Sequence, residues 1–167
     1  FEVFPPKQDK PLEPLLNTLA HLYAYHPDFI SCTYGAGGTN TGRNAEICQA
    51  IQYNGATENL SHFTCIGNSR QSLEEGLACY QKMGIQNLLA LRGDLPVDWD
   101  GTRGDFSHAD QLMDFLKSRV PDFCIGGACY PEKHLQAASF ESDIDALKRK
   151  QASGAEFLTT QLCYDLA

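Results

Sequence analysis

The chain has 167 residues, 43% of them hydrophobic and 20% charged, with a formal net charge of −8. That is an ordinary globular composition, enough to bury one core, and its acidic balance without a dense basic stripe argues against a nucleic-acid partner. No apolar run approaches the roughly 18–20 residues of a membrane span, and no basic-then-apolar leader opens the chain, so neither a membrane nor secretion is expected.

In chain order, Phe1–Phe4 reads as a strand carrying Glu2. A helix follows where Leu12, Leu15, Leu16, Leu19, Leu22 and Tyr23 keep a helical period. Phe29–Thr33 is the second strand, closed by the glycine-rich stretch Gly35–Gly38, and a second helix runs through Ala45, Ile47, Ala50 and Ile51. The third strand is placed at Phe63–Ile66. The third helix opens near Ser69 or Ser72, with Glu75 completing a capping box, buries Leu73, Leu77 and Tyr80, and stops at Gly84. Leu88–Leu91 is the fourth strand, and the helix after it starts near Ser107 and carries Leu112, Phe115 and Leu116. Phe123–Cys129 is the fifth strand, a helix with Ile144 and Leu147 ends before Gly154, and Phe157–Tyr164 is the sixth strand.

Six strands alternating with five helices, at the spacing of βαβ units, predict an α/β fold with a parallel sheet and helices outside it. An open doubly wound sheet and a (β/α)8 barrel share that alternation. The polar residues favour the barrel. Each strand ends in unusual chemistry: Glu2, Thr33, Thr64-Cys65, Arg92-Gly93-Asp94, Tyr130-Pro131-Glu132, and Gln161 with Tyr164 and Asp165. Groups at one end of all six strands converge only if the strands form a ring, whose C-terminal mouth is where such barrels place their active sites. The chain begins at Phe1 and stops at Ala167 after six strands, so 1–167 is expected to be a single catalytic barrel domain truncated after about the sixth strand.

Taken singly, these residues stay ambiguous. Gly35–Gly38 lacks the spacing of either phosphate-loop pattern and fits a tight turn. Arg92 and Asp94 either pair with each other or face a ligand. Among Phe1, Val3 and Phe4, Glu2 is either a strand-edge glutamate facing water or a buried carboxyl; burial would favour its protonated form, the state a general acid needs. His62 and His134 could each be core or capping histidines. Seven cysteines, an odd count with no C-x-x-C, lie mostly in strand-like stretches, where free cysteine behaves as a small hydrophobe. A reducing cytoplasm is expected rather than a disulfide framework. No group of His, Cys, Asp and Glu has metal-ligand spacing.

Six blocks in register, however, resemble the methylenetetrahydrofolate reductase family. They are Phe1-Glu2-Val3-Phe4-Pro5-Pro6-Lys7, Ser31-Cys32-Thr33-Tyr34 with Gly35–Gly38, and His62-Phe63-Thr64-Cys65-Ile66. The others are Ala90-Leu91-Arg92-Gly93-Asp94-Leu95-Pro96, Tyr130-Pro131-Glu132-Lys133-His134 and Thr160-Gln161-Leu162-Cys163-Tyr164-Asp165. The resemblance implies a TIM barrel holding FAD. It implies reduction of 5,10-methylenetetrahydrofolate to 5-methyltetrahydrofolate, with NADH or NADPH as hydride donor, in one-carbon metabolism and methionine biosynthesis. By matching position it implies that Glu2 is the general acid and that Asp94 lies near both flavin and pterin. By the same matching it implies that Gln161 contacts folate and nicotinamide, and that Thr33, His62, Arg92, Gly93, Asp94, Ala109, Tyr130, His134, Asp143 and Lys150 hold FAD.

The departures are His108 where the family often has tyrosine, His134-Leu135-Gln136-Ala137 in place of the usual His-Pro-Glu-Ala, and a longer Val97–Asp105. Strands seven and eight are absent. The competing expectation is therefore a non-catalytic piece of such a barrel that does not retain flavin. The partner implied is a small-molecule folate, with homo-oligomerisation expected of the full-length form.

Overall fold

The computed structural model describes residues 1–34, 41–55, 57–94 and 104–164, without the side chains of 41 and 42. The glycine-rich stretch Gly35–Gly38, most of the long segment Val97–Asp105, and Asp165 lie outside the described residues. Strands and helices alternate as the sequence predicts: β1 (Glu2–Val3), α1 (Glu13–Tyr23), β2 (Phe29–Cys32), α2 (Thr41–Gly55), β3 (Glu58–Thr64), α3 (Arg70–Lys82). They continue as β4 (Asn87–Leu91), α4 (Ala109–Arg119), β5 (Cys124–Cys129), α5 (Phe140–Ala152) and β6 (Phe157–Thr160).

The strands form one sheet in the order β1-β2-β3-β4-β5-β6, each neighbouring pair parallel. The sheet curls into a partial TIM barrel of the α/β class, with the helices between successive strands. Because every strand runs the same way, all six C-terminal ends lie along one rim. The core sits under the helices. Ile30, Phe63, Leu88 and Ile125 of the strands pack with Ile47, Ile51, Leu73, Tyr80, Leu112 and Leu116 of the helices, all fully buried. Each such aliphatic or aromatic side chain contributes about 1.5–3 kcal/mol relative to exposure. At β5 the ring of Phe157 from β6 occupies the place where a Cβ on Gly126 would lie, 2.2 Å from its nearest ring carbon, so only glycine admits this approach.

Two strand boundaries and one capping box differ from expectation. The third strand starts at Glu58, five residues before the predicted Phe63. Its first half is polar, yet Asn59 and Ser61 are buried because α2 supplies partners: Asn59 Nδ2 donates to Gln52 Oε1 at 3.1 Å and Ser61 Oγ to Asn44 Oδ1 at 2.6 Å. Helix α3 is capped by Ser69, whose side chain accepts from the Ser72 N–H. Glu75 forms no capping box and instead accepts from Gln71 Nε2 at 3.0 Å. The sixth strand ends at Thr160, short of Tyr164. Among the described residues, no helix is long and apolar enough to cross a membrane.

Candidate active site

The rim is built strand by strand. After β4 the chain turns through Gly93 at φ +89°, where a Cβ would lie 2.8 Å from Ile66 Cγ2 and 3.2 Å from Thr64 Cβ. A side chain there would strain the backbone and press on the end of β3, so glycine lets Arg92 and Asp94 leave the strand close against its neighbour. Arg92 Nη1 donates to Gln136 Oε1 at 2.6 Å and Arg92 Nε to the Gly93 carbonyl at 3.1 Å.

The segment after β5 carries Tyr130 and His134, their rings edge-to-face with centroids 4.6 Å apart. A turn closes from the Ala137 N–H to the His134 carbonyl, and the Gln136 N–H donates to His134 Nδ1 at 3.0 Å. The buried carboxylate of Asp143 on α5 accepts the His134 backbone N–H at 3.1 Å. Lys150, seven residues or about two turns further along α5, donates to the Ala128 carbonyl at 2.5 Å. Burial lowers its pKa, and the charge of Asp143 offsets that in part. Burial, and then the charge of Asp94, push the Tyr130 phenol up.

Between these segments and the end of β6 lies a hollow of about 390 Å³ lined by Arg92, Asp94, Tyr130, His134, Gln136 and Gln161, among others. Gln161 is fixed there by its N–H, which donates to the Cys129 carbonyl at 2.9 Å. Five of the sequence-predicted residues thus share one cavity. Asp143 and Lys150 stand behind its wall, one anchoring His134 and the other tied to the end of β5. Thr33 and Ala109 line no part of this hollow. Thr33 follows β2, and Ala109 is the first residue of α4 after His108, which makes no side-chain cap.

Glu2 and His62 form a second constellation at the β1–β3 end of the rim. Their facing atoms, Glu2 Oε2 and His62 Nε2, are 3.4 Å apart, with side chains 47% and 11% exposed. The distance alone reads as an ion pair, yet His62 Nε2 is buried without a hydrogen-bond partner. Burial holds the imidazole pKa below its ordinary value, and the Glu2 charge only partly opposes that. Burial is the larger cause, so His62 is neutral at pH 7 and the contact is not a charge pair. The apolar niche expected around Glu2 is not formed by its neighbours in sequence: Phe1 and Phe4 are exposed, because β1 has only β2 as a strand partner among the described residues.

A pH dependence follows from His62. An imidazole whose pKa is lowered by folding favours the native state fully above the unfolded value of about 6.5, and that advantage drains as pH falls below it. The urea midpoint is therefore expected to drop between roughly pH 7.5 and pH 5.5, and His62→Gln to flatten that drop. Equal slopes in the two proteins would show that His62 does not report burial.

Two residues of the site escaped the sequence reading. Gln136 was visible only as part of the His134-Leu135-Gln136-Ala137 departure, with no role of its own. Asn44, fully buried on α2, donates to the Cys32 and Thr33 carbonyls at 3.0 Å each and so holds the end of β2. A side-chain amide inside a helical stretch gives no local signal of such a role.

Comparison with known proteins places these features in context. The family model for methylenetetrahydrofolate reductase matches residues 1–167. The 5,10-methylenetetrahydrofolate reductase of Pectobacterium carotovorum is 39% identical over 99% of this chain and 54% of its own length. That of Escherichia coli K12 is 36% identical over 99% of the chain and 55% of its own length. The methylenetetrahydrofolate reductase (NADH) 1 of Arabidopsis thaliana is 35% identical, with 99% of this chain matching 30% of that protein. The chain thus spans about half the length of the bacterial relatives it matches. Among solved structures, 2,3-dimethylmalate lyase aligns at a TM-score of 0.58 and 12% identity, covering 87% of this chain and 54% of that one, which speaks to the fold alone.

Proposed function

The chain belongs to the methylenetetrahydrofolate reductase family, and on that footing we propose that it carries the reducing site for 5,10-methylenetetrahydrofolate. The product is 5-methyltetrahydrofolate, the electrons come from NADH or NADPH, and FAD is the bound cofactor. The observation that carries this reading is the convergence of Arg92, Asp94, Tyr130, His134 and Gln161 on one hollow at the strand C-termini, with Glu2 and His62 on the same rim.

The residues suit a flavin dinucleotide. Arg92 is held by neutral acceptors, which leaves its charge for an anionic group. His62 Nε2 is a buried polar atom without a partner, the kind of atom a ligand's polar edge satisfies. In this reading Arg92, Tyr130 and His134 hold the cofactor, with Thr33, His62, Gly93, Ala109, Asp143 and Lys150 shaping or bracing its bed. When bound, FAD supplies the two-electron chemistry that links nicotinamide to folate.

The protein's own groups supply position and protons. The Asp94 carboxylate accepts hydrogen bonds from the N–H groups of a pterin, and the Gln161 amide can donate and accept at the folate or the nicotinamide. Glu2 delivers a proton to a nitrogen of the substrate's bridging five-membered ring. The C–N bond then opens to an iminium cation, which is the form that accepts hydride. Overall one hydride and one proton are added, and the methylene carbon becomes a methyl group.

The purified chain, mixed with FAD and passed over a desalting column, is expected to retain the visible flavin absorption. Loss of all colour would favour the second reading, a partial barrel that does not keep flavin. One observation speaks for that alternative: Leu158, Leu162 and Tyr164, in and just beyond β6, are exposed at an open sheet edge.

A further inference from the structure

We infer that Cys32 and Cys48 are a dithiol site that a hydroperoxide closes to a disulfide, and that the new bond takes over from Asn44 the work of tying α2 to the end of β2. The inference stands whatever ligand the hollow receives. Sheet register places the pair. Cys32 and Ser61 are Cα partners across β2 and β3, so their side chains leave the same face of the sheet. Ser61 Oγ donates to Asn44 Oδ1 on α2 at 2.6 Å, which makes that face the one under α2. Cys48 stands one turn beyond Asn44 on the same side of the helix, and its thiol donates to Asn44 Oδ1 at 3.8 Å. The Cys32 carbonyl accepts from Asn44 Nδ2 at 3.0 Å. The two cysteines thus meet beside one amide, and their thiols are in hydrogen-bond contact with each other. Both are fully buried and free. Elsewhere, Cys65 Sγ faces the Arg92 and His108 carbonyls, and Cys163 Sγ faces the Glu132 carboxylate.

The closed structure keeps the pair reduced. Thiolate, not thiol, attacks a peroxide. Contact with the Cys48 thiol, and then burial, push the Cys32 thiol far above the ordinary cysteine range. A fully buried sulfur also meets no oxidant from solvent, so reaction waits for a local opening of α2 from β2. In the open form one thiol loses its proton and attacks an oxygen of the hydroperoxide. The O–O bond breaks, an alcohol or water leaves, and that cysteine becomes a sulfenic acid. The second thiol then attacks the oxidised sulfur. The S–O bond breaks, water leaves, and the S–S bond forms. Two thiols have given up two electrons and one hydroperoxide has accepted them. The bridge closes a loop of about 15 residues, long enough for a clear gain in stability. It also steadies the end of β2, where the Thr33 N–H donates to the Val3 carbonyl at 3.0 Å and seats β1.

The test exposes wild type, Cys48→Ser and Asn44→Ala to hydrogen peroxide, quenches with an alkylating reagent and maps the linked peptides by mass spectrometry. Melting temperatures are read before oxidation, after it, and again after reduction with dithiothreitol. In the wild type Cys32 is expected to link to Cys48, and the melting temperature to rise about 5–10 °C and fall back on reduction. Cys48→Ser should show no such reversible rise. Asn44→Ala, which loosens α2, should form the link about tenfold faster, and oxidation should restore part of the melting temperature it lost. Urea below the unfolding transition should speed the link in wild type too, which decides the opening step even if Asn44→Ala does not fold. Failure to link Cys32 to Cys48, or a linked protein that melts no higher than the reduced one, overturns the inference. So does a wild-type rate of linkage that urea leaves unchanged.

Discussion

Replacing Glu2 with Gln in the full-length polypeptide is expected to slow reduction of 5,10-methylenetetrahydrofolate about 10²–10⁴-fold, the usual worth of a general acid. Oxidation of NADH with an artificial electron acceptor should stay nearly unchanged. The asymmetry comes from the chemistry of the two halves. A nicotinamide gives up hydride without needing a proton, whereas the folate's methylene carbon accepts hydride only after a ring nitrogen has been protonated and its C–N bond has opened. Glutamine keeps the shape and polarity of the side chain but has no proton to give. The nearest group, His62 Nε2 at 3.4 Å, cannot take over, because burial keeps that imidazole neutral at pH 7. Glu2 itself is half exposed, so its carboxyl is open to a ligand at the rim. If Glu2→Gln depressed both halves equally, the residue would be a structural or binding group of the rim, and the acid would have to be sought elsewhere.

How much of this was legible in the sequence depends on where each residue's partners lie. Strands β2, β4 and β5 announce themselves because their central residues face apolar neighbours, and an apolar run is a local signal. The first half of β3 does not, since its polar Asn59 and Ser61 are buried through bonds from Asn59 Nδ2 to Gln52 and from Ser61 Oγ to Asn44 on α2. The choice between Ser69 and Ser72 as the cap of α3 was equally invisible. It is settled in part by Asp105 Oδ2, which accepts the Arg70 N–H at 2.7 Å from 35 residues away. For the site, position carried the information: Arg92, Tyr130 and Gln161 directly follow strands, Asp94 and His134 lie within five residues of a strand end, and a parallel curled sheet brings strand ends together whatever else it does. The surroundings of Glu2 were not legible in the same way. Apolar neighbours in sequence bury a carboxylate only if something covers the edge strand they sit on, and that is a tertiary fact.

Asn44 shows what such tertiary facts weigh, and its replacement by Ala is expected to be the most damaging change to stability, at about 3–5 kcal/mol. The side chain is fully buried and uses every polar atom. Nδ2 donates to the Cys32 and Thr33 carbonyls, and Oδ1 accepts from Ser61 Oγ and Tyr80 Oη, both at 2.6 Å. Ser61 and Tyr80 also lie 2.8 Å from each other, so in the Ala variant one hydroxyl proton can still be accommodated between them. The other hydroxyl and the two carbonyls lose a buried partner, each costing about 1–3 kcal/mol, with a small cavity added. Tyr80→Phe is the internal control. It leaves Ser61 on the Asn44 oxygen and both carbonyls satisfied, so it should cost only about 1 kcal/mol. In a chain of this size the Ala variant should melt roughly 10 °C lower. The damage should also reach the rim: the carbonyl freed at Thr33 belongs to the residue whose N–H donates to Val3 at 3.0 Å, the bond that seats β1 and with it Glu2. Equal destabilisation by Asn44→Ala and Tyr80→Phe in urea titrations would mean that the hydroxyl pair, not the amide, holds α2 to the sheet, and that the site's footing lies in β3 rather than in β2.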